Sequence, residues 1–144
     1  MADFAGLRLV VFRVGDVICA ADVTSVREIL PTQRATRIPG APSTVTGLIN
    51  VRGDLITLVH GSQLLGRNVH TSDGVTLLCT VGAQEVGMAV DEVLDLIAVS
   101  EDDLAQGSEL PGIDRRLVRA VGQLAGRSFI VLDLEALLGP VLSS

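Results

Sequence analysis

The feature of this sequence that most constrains its fold is an internal repeat. Residues 14–23 resemble residues 81–93, which carry a slightly longer hairpin tip. Downstream of each copy, residues 53–60 parallel residues 126–133 in the same relative place. Each copy holds about 70 residues, a length at which one hydrophobic core is only marginally stabilising. The repeat therefore predicts one β-rich plan used twice, with a core shared between the two copies.

Short apolar runs rich in β-branched residues, separated by turns, make up most of both copies. Residues 7–14 and 17–21 form one predicted hairpin, and residues 47–51 and 55–59 form another. Residues 31–46 contain three prolines, which favours an extended surface loop. Because no long segment has the hydrophobic period of a helix, the pattern predicts small barrels. The alternative is a single β-sandwich in which the similarity between the two copies is accidental.

Helical structure is predicted only in short turns. Asp22 can cap a helical turn or precede a strand, and both alternatives fit the residues that follow it. A short helix is predicted at residues 62–66, where a glycine ends it. A last turn is predicted at residues 135–138, with Gly139 and Pro140 ending it.

Composition excludes several classes of function. With 48% hydrophobic and 19% charged residues, the chain is predicted to fold as a single domain over residues 1–144. A net charge of −6, 2% aromatic residues and no Trp or Tyr argue against a nucleic acid partner. The apolar runs are shorter than the ~20 residues of a membrane helix, so no membrane insertion is predicted. Because Asp3 stands where a secretory signal carries basic residues, we predict a cytoplasmic protein.

Residues that could support catalysis are scarce. His60 follows an apolar strand and His70 lies in a polar loop, and neither has a Cys or second His at ligand spacing. Cys19 and Cys79 lie in apolar stretches, so buried, reduced thiols are predicted, and a disulfide is disfavoured in the cytoplasm. No phosphate loop, dinucleotide fingerprint or nucleophile motif is present. The sequence therefore predicts no enzyme, no metal site and no cofactor.

An ordered set of motifs gives the chain a specific resemblance. Its core is Val26-Arg27-Glu28-Ile29-Leu30, then Ile38-Pro39-Gly40-Ala41-Pro42, then Gly47-Leu48-Ile49-Asn50-Val51-Arg52-Gly53. Two later strings continue it: Val90-Asp91-Glu92-Val93 and Ile130-Val131-Leu132-Asp133-Leu134. In this order and spacing, the set resembles the CheW-like adaptor family over nearly the whole chain, from about residue 7 to residue 138.

The resemblance implies a fold, a role and partners. The fold is all-β, with two tandem SH3-like five-stranded barrels sharing a hydrophobic core, one lobe at about 7–66 and the other at about 74–138. The role is that of a non-catalytic adaptor in chemotaxis signal transduction. The implied partners are the regulatory domain of a CheA-type histidine kinase and the cytoplasmic tip of a chemoreceptor. The implied location is the cytoplasm, at membrane-associated receptor arrays.

Carried over by motif match, five residues form the predicted protein-binding surface: Val26, Glu28, Gly47, Asn50 and Arg52. A polar Asn and a long Arg are unusual choices for a purely structural apolar strand, and an arginine anchor suits a modest interface. The structural alternative is that Arg52 pairs with a nearby acid and Asn50 satisfies backbone groups.

Two other functions fit the sequence less well. The first is a CheW-like scaffold in a non-chemotaxis chemosensory pathway that uses a paralogous kinase. The second is a small-molecule-binding or hydrolytic β-barrel that uses His60 together with Asp54 or Asp91.

Overall fold

A computed structural model describes residues 6–67, 74–106 and 112–142. Within these residues the strands are β1 (Gly6–Val14), β2 (Val17–Asp22), β3 (Val26–Pro31), β4 (Val45–Val51), β5 (Asp54–His60), β6 (Val75–Val81), β7 (Gln84–Val90), β8 (Glu92–Ser100), β9 (Ala105–Gln106), β10 (Val118–Leu124) and β11 (Arg127–Leu132). The α-helices are α1 (Gly61–Leu64) and α2 (Leu134–Leu142), and 3-10 turns lie at Val23–Ser25, Glu101–Asp103 and Arg115–Leu117. The predicted all-β class is confirmed.

The strands form two sheets. Sheet 1 has the order β8-β1-β2-β11-β10-β9, in which β9 adds only two residues, and sheet 2 has the order β3-β6-β7-β5-β4. Most neighbours are antiparallel, whereas β2 with β11 and β5 with β7 are parallel pairs. Each sheet therefore contains five strands of substantial length, as the two-barrel prediction requires.

The two sheets are related by the internal repeat. If β1 to β5 are matched in order with β6, β7, β8, β10 and β11, the strand order of sheet 2 becomes that of sheet 1 without its short β9. Each sheet consequently combines the first hairpin of one copy with three strands of the other. The lobe boundaries at 7–66 and 74–138 describe the sequence repeat. They do not describe the sheets, because each of these two segments contributes strands to both sheets.

A capped turn carries the chain from sheet 1 to sheet 2. The Asp22 carboxylate accepts a hydrogen bond from the backbone N–H of Thr24 at 2.9 Å, which caps the 3-10 turn Val23–Ser25. Strand β3 begins at the next residue and pairs with β6. Both alternatives predicted after Asp22, the helical turn and the strand, are therefore present in succession.

Three hydrophobic clusters hold the sheets together. Alternate residues of a strand face opposite sides, and in β1 Leu9 and Val11 enter a cluster that also holds Phe129 and Val131. The other face of β1 enters a larger cluster that takes residues from both sheets and α2, including Val10, Phe12, Val59, Met88, Ile130 and Leu138. A third cluster, with Ile49, Ile56 and Leu58 among its members, belongs to sheet 2. The predicted shared core is thus confirmed.

The loop after β3 closes sheet 2. Thr36 and Leu48 exchange two backbone hydrogen bonds of 2.8 Å, so the chain that leaves one edge strand pairs with β4 at the other edge. Ala35 packs against the cluster of sheet 2. The predicted extended loop is therefore a structural part of this sheet.

Helix α2 is longer than the sequence pattern predicts. It runs from Leu134 to Leu142 through Pro140, so the prediction that Gly139 and Pro140 end the helix is wrong. Leu134, Leu137 and Leu138 are buried in the shared core, and this packing outweighs the helix-breaking tendency of the two residues. In the described residues, no helix has the length and hydrophobicity needed to span a bilayer.

Candidate functional site

The turn between β4 and β5 presents an arginine in an unusual backbone conformation. Arg52 has a backbone φ of 51°, in the left-handed region that residues other than glycine rarely adopt. The Asn50 side-chain oxygen accepts a hydrogen bond from the N–H of Gly53 at 2.9 Å and so supports this turn. Asn50 therefore has the backbone-satisfying role that the structural alternative predicts for it.

Arg52 forms a bidentate ion pair with Glu28 on β3. Its Nη1 donates to Glu28 Oε2 at 3.2 Å, and its Nη2 donates to Oε1. The hydrogen bonds from Arg52 lower the pKa of Glu28, and those to Glu28 raise the pKa of Arg52. Arg52 remains 64% exposed, so the guanidinium is paired and still accessible to another molecule.

A second ion pair lies beside the first. Arg27 on β3 donates to Glu85 on β7, and Arg52 also feels the negative charges of Glu85 and Asp54. We call Arg27, Glu28, Arg52 and Glu85 the charged patch. Fixed, alternating charges of this kind favour a partner with the complementary pattern and disfavour others.

Exposed apolar side chains adjoin the charged patch. Leu55, which is paired with Asn50 in the β4–β5 hairpin, is 69% exposed, and Ile29, next to Glu28, is 43% exposed. Apolar side chains beside an accessible arginine are typical of the central part of protein–protein interfaces.

Val26 and Gly47 lie next to this surface but are buried. Val26 is 9% exposed and belongs to the shared core. A Cβ on Gly47 would lie 2.3 Å from the backbone oxygen of Thr36, so only glycine fits where the loop pairs with β4. The structure brings Glu28, Asn50 and Arg52 together at the surface and places Val26 and Gly47 beneath it.

Sequence reasoning missed part of this surface. Arg27 lies within the Val26–Leu30 motif, so its position in an exposed strand could have indicated it. Glu85 and Leu55 could not have been found in this way, because their proximity depends on how β7 and the β4–β5 turn are placed in sheet 2.

His60 and Asp91 line a cavity of about 210 Å³. This junction cavity has Val14 of β1 on one side and Arg37, Thr46, His60, Ser62 and Asp91 among its other lining residues. Asp54 starts the strand that His60 ends, roughly 20 Å away at 3.3 Å per residue. The structure therefore brings His60 near Asp91 and separates it from Asp54.

The junction cavity does not contain the hydrogen-bonded residues of a hydrolase. Asp91 Oδ2 accepts from the N–H of Gly15 at 2.5 Å and lies 3.6 Å from Arg13 Nη1. Among the residues that the structure describes, no hydrogen bond joins the His60 imidazole to Asp91 or Ser62, and no group of three metal-ligating side chains occurs. The described side chains of the cavity therefore do not form a hydrogen-bonded series of nucleophile, base and orienting acid.

Both cysteines are free and buried, as predicted. Burial raises the pKa of Cys19 and of Cys79 to about 12 in each case. The thiols are therefore protonated at neutral pH and are inert as nucleophiles.

Together, these observations define a class of protein: a scaffold of two interleaved β-sheets that carries an exposed patch of paired charges. Comparison with known proteins gives the family. Residues 8–140 match the sequence profile described as a CheW-like domain. The chain is 33% identical to chemotaxis protein CheW of Rhizobium meliloti, covering 91% of this chain and 86% of that protein. It is 30% identical to the probable chemotaxis protein CheW of Rhizobium etli, covering 90% and 85%.

A solved structure agrees with the fold. The scaffolding protein TtCheW from Thermoanaerobacter tengcongensis superposes with a TM-score of 0.82 at 23% identity, covering 89% of each chain. The chain belongs to the CheW-like family, the coupling adaptors of chemotaxis.

Proposed function

We propose that this chain couples chemoreceptors to a CheA-type histidine kinase and has no enzymatic activity of its own. Its binding partners are the regulatory domain of the kinase and the cytoplasmic tip of the receptor. It works in the cytoplasm, at membrane-associated receptor arrays. The observation that carries the proposal is the exposed bidentate pair of Arg52 and Glu28, in a chain whose family is that of the chemotaxis adaptors.

The charged patch is the proposed contact surface. Glu28 holds the guanidinium of Arg52 in one orientation, which reduces the side-chain entropy lost when a partner binds. Leu55 and Ile29 supply apolar area beside it. Val26 and Gly47 contribute indirectly, since they fix β3 and the loop that pairs with β4.

Weak individual contacts are sufficient for such a role. Signalling interfaces are often small, and receptor arrays multiply weak contacts through high effective concentration. We therefore expect modest affinity for each isolated partner and stable retention only when kinase and receptor are both present.

A pull-down from the native cytoplasm, followed by mass spectrometry, tests this proposal. The tagged chain is expected to capture a histidine kinase together with chemoreceptors. Capture of a kinase and receptors from a motility or gene-regulation pathway would instead favour the non-chemotaxis scaffold. Capture of neither class would contradict both versions of the adaptor proposal.

A further inference from the structure

The two sheets contain the same hairpin turn with different residues in it. Each turn has two residues, Arg52-Gly53 between β4 and β5 and Ala125-Gly126 between β10 and β11. Arg52 has a φ of 51° and Ala125 has a φ of 53°, and in the described part of the chain these are the two residues other than glycine with a positive φ. The internal repeat therefore places Ala125 in the position of Arg52.

The acidic residue of the ion pair in sheet 2 also has an equivalent in sheet 1. The pairing of β3 with β6 shifts by one residue between Val26 and Glu28. The pairing of β8 with β1 shifts in the same way between Val93 and Asp95. Asp95 therefore has the position in β8 that Glu28 has in β3. Within the described residues Asp95 forms no ion pair, and its Oδ1 accepts from the backbone N–H of the next residue at 2.8 Å.

In the described residues, an ion pair between an edge strand and this turn is present in sheet 2 and absent from sheet 1. In sheet 2 the Arg52 guanidinium binds the Glu28 carboxylate, and Asp54 adds a favourable charge near Arg52. In sheet 1 an alanine side chain is too short to reach Asp95, and Arg127 has the position of Asp54. The two copies of the repeat therefore differ in how the edge strand is held.

We propose that β8 opens away from the β10–β11 turn while the shared core stays folded, and that the Arg52–Glu28 pair prevents the same opening of β3 in sheet 2. Parts of a fold with few restraints open locally at a lower free energy than the whole. The opening uncovers the apolar cluster of sheet 1, which includes Leu9 and Val11. Because β8 also carries the exposed Leu96, its movement changes an apolar part of the protein surface.

Amide hydrogen exchange of the full chain, followed by NMR, tests the proposal by copying the ion pair into sheet 1. The double variant Asp95→Glu with Ala125→Arg supplies both residues, and exchange in β8 is expected to slow by roughly two- to five-fold, the effect of an exposed ion pair. The matched control, Asp95→Gln with Ala125→Arg, has the same size without the negative charge and is expected to exchange as the wild type does. Each strand is compared with itself, since β8 and β3 pair over different lengths.

Arg52→Gln is the reciprocal variant. It removes the ion pair from sheet 2 and is expected to accelerate exchange in β3 by roughly two- to five-fold without changing exchange in β8. Both effects are expected to decrease in about 1 M salt, which screens exposed charges. The proposal is overturned if the copied pair does not slow β8, if the uncharged control slows it equally, or if Arg52→Gln leaves β3 unchanged. It is also overturned if the β8 amides of the wild type exchange as slowly as those of the shared core, because β8 would then open only when the whole chain unfolds.

Discussion

Arg52 in the β4–β5 turn pairs through both guanidinium Nη atoms with the carboxylate of Glu28 on β3. Strands β3 and β4 are the two edges of sheet 2, so this contact joins opposite ends of the strand order. The loop that follows β3 is also held to β4, by the backbone pairing of Thr36 with Leu48. Sheet 2 is therefore curled until its edges meet, and the Arg52–Glu28 pair of the charged patch spans the two edges.

Replacing Arg52 by Asp should weaken binding to the kinase or receptor by roughly five- to thirty-fold, because an anchoring charge is reversed. Aspartate tolerates the left-handed conformation at this position, and the pair is exposed, so the melting temperature should change by no more than about 3 °C. Titration calorimetry and thermal unfolding measure the two quantities.

Arg116→Asp is the matched control for that variant. Arg116 forms a similarly exposed ion pair, with Asp114 at 2.8 Å, in the turn before β10. It should leave binding unchanged. Combining Glu28→Arg with Arg52→Asp restores an internal pair with reversed polarity, so binding should stay weak. Normal binding by Arg52→Asp to both partners would show that the site is wrongly assigned.

Gly47→Ala should lower the free energy of unfolding by roughly 1–3 kcal/mol, since the new methyl group meets the backbone of Thr36. Gly139→Ala is the control, because nothing lies within 4 Å of its Cβ position and alanine favours a helix. Chemical denaturation measures both variants. If Gly47→Ala unfolds like the wild type but fails to bind, Gly47 contacts the partner directly, contrary to its buried position.

The carboxyl group of Glu28 should titrate below its ordinary value of about 4.5, because its ionised form accepts hydrogen bonds from Arg52. A depressed pKa in the folded state contributes stability above the unfolded value, and that contribution is lost as the pH falls through the folded pKa. Carbon-13 NMR titration of the carboxyl measures the midpoint. In Arg52→Gln the midpoint should return towards 4.5, and an unchanged midpoint would mean that the pair does not form in solution.

Cys19 and Cys79 should not react with a thiol reagent at pH 8 while the chain is folded, because burial raises the pKa of each to about 12. Both should react promptly once guanidinium unfolds the protein. The release of a coloured thiol leaving group counts the reactive cysteines. Rapid modification of the folded chain at either position would contradict the packing of the shared core.

The strands, the hairpins and the repeat follow from the sequence, because alternation and turn residues act locally. The division of strands between sheets does not, since pairing β2 with β11 depends on contacts far apart in the chain. The motif identified Glu28 and Arg52. The contribution of Glu85 could be learned only from the structure, because its contact with Arg27 also joins residues far apart in the chain. Helix α2 continues through Pro140, contrary to the prediction, because tertiary packing buries the leucines that precede it.

In the sequence, all strands of sheet 2 lie between the first two and the last four strands of sheet 1, and this arrangement sets an order for folding. Strands β3 to β7 form one uninterrupted stretch, whereas sheet 1 is built from the first two strands and the last four. On the ribosome, the inner unit can close as soon as β7 emerges, but the leading hairpin must wait for β8, β10 and β11. Until synthesis is complete, the nascent N-terminal strands are therefore exposed to capture by chaperones or by other chains.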